Sequence, residues 1–313
     1  MLRRIAGSLY WAARYLERAQ WRARLVDVNY NLLLEVPPRH PEPWGPLLQI
    51  TAEQELFASL HEKVTEAAII EFFVFEKQNP SSIRSCIEAV RNNLSPLRHL
   101  ISSELWVAVN RLYLECPEWS AQSLAASGVS SFFADLQRDF YTIEGIIDNT
   151  MPRDLAYDLM EIGTMLERPD NVSRLLDVKY HYLLPKLEDI GGPADMRQWA
   201  AVLRSASAFE AFRKVYGHAI RVNRVVEILV FDPAFPRSMR FCIERLAHVL
   251  ARIGQEEEQA VCETSPCADL LAMLRNGTAE QTILDGLHEF LIRIENMCAR
   301  IGEQVFDRYM SLE

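Results

Sequence analysis

The chain matches itself. Residues 16–34, LERAQWRARLVDVNYNLLL, and residues 166–184, LERPDNVSRLLDVKYHYLL, are identical at ten of nineteen positions. A second match follows in the same order. Residues 71–88, EFFVFEKQNPSSIRSCIE, and residues 227–244, EILVFDPAFPRSMRFCIE, agree at nine of eighteen, and the offset grows only from 150 to 156. Two collinear matches predict tandem duplication of a unit of roughly 150 residues, itself the size of a domain. The copies are expected over 1–150 and 151–313, packed as one compact bundle.

The period inside the repeat is helical. Leu16, Ala19, Ala23, Val26, Tyr30 and Leu33 recur three and four apart and share one helix face. Leu25, Val28 and Leu32 fall on other faces, so the helix is apolar most of the way round and belongs at the centre of its bundle. Ser8 and Asp158 are the expected N-caps of the two copies. Thr51 with Gln54 reads as a capping box opening a helix to about Lys77. Pro80 and Pro236 each precede a serine placed to cap the next helix. A single helical stretch is expected over 197–231. No alternation of period two bounded by hairpin turns occurs, so the expected fold class is all-α, a helical bundle.

Composition narrows the function. At 49% hydrophobic and 24% charged residues the chain is globular, and a net charge of −10 repels phosphate backbones, which argues against nucleic acid. The six cysteines, Cys86, Cys116, Cys242, Cys262, Cys267 and Cys298, form no C-x-x-C pair. Free thiols in a reducing compartment are therefore expected, not a structural zinc site. Arg14, Glu17, Arg18, Arg22 and Arg24 interrupt the apolar runs behind the basic start, so neither a signal peptide nor a membrane span is expected, and the location is cytoplasmic by elimination. No histidine lies three residues after a glutamate, which rules out a four-helix di-iron site. Phosphate-cradle, dinucleotide and nucleophile-elbow motifs are missing too. No metal or cofactor is expected.

The polar residues shared by the copies are the candidate site. Glu17, Arg18, Arg24, Asp27 and Tyr30 recur as Glu167, Arg168, Arg174, Asp177 and Tyr180. At 100° per residue Asp27 points with Leu16 and Leu34, which puts a carboxylate in the buried stripe. Arg24 lies three residues before it, at pairing distance, and Glu17 two turns before Arg24. Glu17, Arg24 and Asp27 thus form a row of alternating charge, while Arg18 points elsewhere. Glu71 and Glu227 sit in apolar runs and need a partner or a raised pKa; Arg84 and Arg240 are the expected partners. Three readings stay open. The rows are structural joints that lock helix register, or a pocket gripping a ligand carboxylate, phosphate or amine through the arginine fork, or catalytic groups themselves.

The segments SLYWAARYLERAQWRARLVDVNYNLLL, NPSSIRSCIEAVRNNL, NTMPRD and the second LER with RLLDVKYHYLL together resemble the bacterial alpha-E family. The resemblance covers essentially the whole chain. It is an all-helical domain named for a Glu-Arg motif, which falls here on Glu17-Arg18 and Glu167-Arg168. One departure is Pro169, where the first copy has Ala19; the second helix is expected to start near it or bend beside it. The family is typically encoded beside circularly permuted ATP-grasp proteins and transglutaminase-like proteases, and ATP-grasp enzymes join a carboxylate to an amine through an acyl phosphate. The resemblance implies an accessory or substrate-binding subunit of such a ligase, working on a peptide or amino-acid conjugate, with the ligase and a transglutaminase-like protein as partners and an amino acid or peptide as ligand. The alternatives are an amide-forming or group-transfer enzyme in its own right and a dimerisation scaffold.

Overall fold

The computed structural model describes residues 3–35, 42–120, 124, 128–181, 192–256 and 265–310, and every regular element among them is helical. No helix among the described residues is long and apolar enough to cross a membrane. The chain divides into two compact units, Met1–Thr164 and Met165–Glu313. The division falls inside the helix Leu155–His181, beyond the repeat boundary at 150 that the sequence offers. Gly163 gives the physical reason. A Cβ there would come within 2.4 Å of the Tyr10 carbonyl oxygen, so glycine lets the start of this helix lie directly on the backbone of the first helix.

In the first unit the long helix Arg3–Glu35 packs on Ile83–Leu94 and on Val129–Thr150, and Ser103–Glu115 packs on both of the latter. Leu16, Ala19, Ile87, Val90, Val109, Leu112 and Ile143, drawn from all four helices, meet around a small apolar void in the core. Every residue from Ala19 to Val26 is buried, so this middle stretch of the first helix is covered all round. Complete burial of a large aliphatic or aromatic side chain such as Phe72 or Leu9 stabilises the fold by about 1.5–3 kcal/mol. Ser8 lies inside the helix, not at its cap, because Ala6, Leu9 and Tyr10 extend the buried face upstream. Asp158 is also internal. The cap of its helix is Asp154, whose Oδ1 accepts from the N–H groups of Ala156 and Tyr157 at 3.0 and 3.2 Å.

The expected helix to Lys77 is broken into pieces. Gly45–Thr51 ends at Ala52, a non-glycine residue at φ 55, and Thr51 bonds back to the Leu47 carbonyl without capping a following helix. In the second unit Pro193–Ser205 ends just before Ser207, also at φ 55. In both places the next N–H returns to a carbonyl five residues earlier, Glu53 to Leu48 at 3.0 Å and Ala208 to Leu203 at 2.7 Å. This is the left-handed helix stop that exhausts the last carbonyls. It also cuts the expected 197–231 stretch into Pro193–Ser205, Phe209–Tyr216 and Val222–Val226.

Two further devices recur. The π turns Glu71–Phe75 and Glu227–Phe231 each follow a five-residue helix. Ser82 Oγ then accepts from the Ser85 N–H and Ser238 Oγ from the Phe241 N–H, capping Ile83–Leu94 and Met239–Glu256 as the prolines before them predict. The second unit is completed by Pro266–Asn276, packed on Met239–Glu256, and by Ala279–Tyr309. Helix Leu155–His181 continues through Pro169.

Candidate functional site

In the first unit Gln20 and Arg24 turn towards the closing helix, Val129–Thr150. Gln20 Nε2 donates to Glu144 Oε2 at 3.2 Å, Gln137 Nε2 donates to the Gln20 carbonyl at 3.0 Å, and Arg24 Nη2 donates to Gln137 Oε1 at 3.5 Å. Glu17, one turn earlier, is buried at 3% exposure. Asp27 does not lie deep in the core. It is half-buried, and Leu34, which shares its direction on the helical wheel, is 68% exposed, so the row runs out of the core here. Partial burial still pushes the Asp27 carboxyl above its ordinary pKa, against the hydrogen bond that Asn31 donates at 2.9 Å.

The second unit carries the same row with more charge. Glu167 is buried. Arg174 forks onto both oxygens of Asp170 at 3.0 and 3.3 Å and reaches Glu295 Oε2 at 3.8 Å. Ser173 Oγ donates to Glu295 Oε1 at 3.0 Å, and Asp177 Oδ1 lies 2.6 Å from His288 Nδ1. Burial raises the Glu295 pKa; the Arg174 charge and the Ser173 hydroxyl work against it, and the charges of Asp170 and Asp177 add to the rise. Burial lowers Arg174, but Asp170, Glu295 and Glu167 together hold it above its usual value. His288 and Glu295 belong to the closing helix Ala279–Tyr309 and stand 151 residues after Gln137 and Glu144. Each motif helix is thus joined to a long later helix, Val129–Thr150 or Ala279–Tyr309, through residues in the same register.

The remaining candidates scatter. Arg18 stacks over the Tyr15 ring at 5.6 Å, and Arg168 donates to the Pro236 carbonyl at 3.5 Å. Tyr30 is half-buried; the Tyr180 side chain lies outside the described residues. The expected pairs Glu71–Arg84 and Glu227–Arg240 do not form among the described residues. Glu227 Oε2 accepts from the Ala279 N–H at 3.3 Å, and Arg240 engages Glu244 Oε1 at 3.3 Å and the Phe231 carbonyl at 3.5 Å. Both glutamates are only half-buried at the head of a π turn, so neither requires a buried counter-ion, and Arg240 takes the carboxylate four residues along its own helix.

Two buried polar contacts escape the repeat comparison because they occur in one unit each. Arg22 pairs with Glu53 at 2.8 Å, with side chains 5% and 12% exposed, and its guanidinium lies over the Phe73 ring. At the matching positions the second unit has Val172, by the offset of the motif helices, and Ala208, by the shared left-handed stop; both are buried. Conversely, Lys179 is buried against Asp195 at 3.0 Å and Gln198 at 2.7 Å, beneath the Trp199 ring, where the first copy has Asn29. Burial pulls the Lys179 pKa down, opposed by Asp195. No group of three metal-ligating side chains occurs among the described residues. Cys86, Cys116, Cys242, Cys267 and Cys298 are buried and in no disulfide among the described residues, and burial pushes Cys116 and Cys267 up to about 12, which leaves those two as inert thiols at neutral pH. Cys262 lies outside the described residues.

The model of the Alpha-E family, described as a predicted alpha-helical domain with a conserved ER motif, matches residues 1–310. Uncharacterized proteins of Mycobacterium tuberculosis and Mycobacterium bovis are each 23% identical over 262 residues, which is 78% of this chain and 29% of the relative. The chain therefore spans less than a third of the length of the curated relatives it matches. No solved structure matches it.

Proposed function

The chain belongs to the Alpha-E family, and on that premise we propose that it is an accessory helical subunit of an ATP-grasp-type ligase, presenting an amino acid or peptide for conjugate synthesis or modification in the cytoplasm. The observation that carries this reading is how the shared polar rows are used. In both units they join the motif helix to the closing helix, and the fork of Arg174 is taken up by Asp170. Residues committed to helix registry hold a scaffold in shape, and chemistry then comes from a partner. The relatives support the same reading, since in them the matched region is joined to a much longer chain. The two units are read as products of one tandem duplication. Support comes from the recurrence of the left-handed stop, the π turn, the serine cap and the row-to-closing-helix contacts in the same order.

The test is affinity purification of the tagged chain from native cells. Recovery of a protein with ATP-dependent amide-forming activity is the expected result; repeated recovery without any such ligase would contradict the proposal. Glu17→Gln separates it from an enzyme acting alone. Loss of the joint lowers the melting temperature, whereas lost activity with an unchanged melting temperature would place catalysis in the row.

A further inference from the structure

The closing helix of the second unit is not continuous. At Gly286 the backbone takes φ 117 and ψ 97, far from helical values. A φ of 117 is one that L side chains rarely adopt, so glycine is the residue that lets the helix break here. The arm before the break is fixed at its start, where Glu227 Oε2 accepts from the Ala279 N–H and where Ala279 and Thr282 are buried. Beyond the break, Leu287 and Leu291 are fully buried and the Phe290 ring lies 5.8 Å from that of Phe231. Between these apolar anchors stands His288, with Nδ1 2.6 Å from Asp177 Oδ1 on the motif helix.

We propose that His288 and Asp177 form a pH-sensitive latch fastening the first turn after the Gly286 break to the motif helix of the second unit. The charges acting on the imidazole include Asp177 on the motif helix and Glu289 and Glu295 on the closing helix itself, and Glu295 is in turn tied to the Arg174, Asp170 and Glu167 cluster of the motif helix. Among the described residues, the charged groups on the other elements packed on the closing helix have these placements. Glu227 holds Ala279, Arg224 lies over Tyr216, and Arg275 pairs with Glu244, while Asp269 sits in the first turn of Pro266–Asn276. The hydrogen bond with Asp177 raises the His288 pKa, burial works against it, and the nearby carboxylates add to the rise. The charge-assisted latch is therefore fully engaged below the ordinary histidine value of about 6.5 and is weakened as pH climbs through the raised folded-state value. The first unit has Gln137 at the matching position, which does not titrate.

The experiment is an NMR titration of the His288 imidazole in the intact chain, paired with amide hydrogen exchange over residues 287–291, corrected for the intrinsic pH dependence of exchange. The midpoint is expected above 6.5 and to fall in Asp177→Asn. Protection in this turn is expected to drop with rising pH by roughly tenfold for each unit of elevation. His288→Gln, which installs the first unit's residue, should remove the pH dependence. A midpoint at or below 6.5, one that Asp177→Asn leaves unmoved, or pH-dependent protection that survives His288→Gln would each overturn the latch. Asp177→Asn keeps the test decisive should His288→Gln fail to fold.

Discussion

The two units bury different polar contacts along their motif helices. Where the first buries the Arg22–Glu53 pair, the second has Val172 and Ala208; where the first has Asn29, the second buries Lys179 on Asp195. Desolvating two charges costs several kcal/mol per ion, and the mutual attraction inside the protein only roughly offsets that cost. Val172 and Ala208, the residues that the sequence offset and the left-handed stop align with Arg22 and Glu53, are both buried and carry no charge. What both units share is the motif helix, the left-handed stop and the contact with the closing helix.

This comparison can be broken first at the ion pair. Arg22→Ala leaves Glu53 buried and uncompensated, and a loss of about 3–5 kcal/mol is expected in denaturant melts of the intact chain. A loss below about 1 kcal/mol would mean that the carboxylate finds water or another partner. Next in size is Gly163→Ala. Its methyl meets the Tyr10 carbonyl at 2.4 Å, with no flexible side chain to give way, and a cost of roughly 1–3 kcal/mol is expected from overpacking. An unchanged melting temperature would show that the helix crossing is looser than its geometry. Smaller again is Asp154→Ala, which removes the side-chain acceptor at the start of Leu155–His181 and should cost about 1 kcal/mol. If Asp154→Ala were silent, the cap assignment would be wrong.

The motif helices, the all-helical class and the caps Ser82 and Ser238 were legible in the sequence, because each rests on local spacing. The stops at Ala52 and Ser207 were not. Non-glycine residues rarely take a left-handed backbone, so no local signal marks them. The break at Gly286 was equally hidden, since one glycine in a helical pattern usually costs stability without ending the helix. The polar rows were half legible. Glu17, Arg24, Glu167 and Arg174 announce themselves by repetition. Gln137 and Glu295, which Arg24 and Arg174 reach, and Glu144 and His288, which Gln20 and Asp177 reach, lie on closing helices whose match across the repeat is little more than the dipeptide Ile-Glu at 143–144 and 294–295. Glu71 and Glu227 misled for a different reason. An apolar neighbourhood in sequence implied deep burial, whereas the π turn leaves both carboxylates half-buried and frees Glu227 to cap a helix.

The most direct measurement of whether the units share one frame is the stability of Arg22→Val combined with Glu53→Ala, which writes the second unit's residues into the first. If positions 22 and 53 correspond to 172 and 208, the double variant regains at least half of the stability lost in Arg22→Ala, because no buried charge is left unpaired. A double variant as unstable as the single one would contradict that correspondence and with it the reading of the two units as one design used twice.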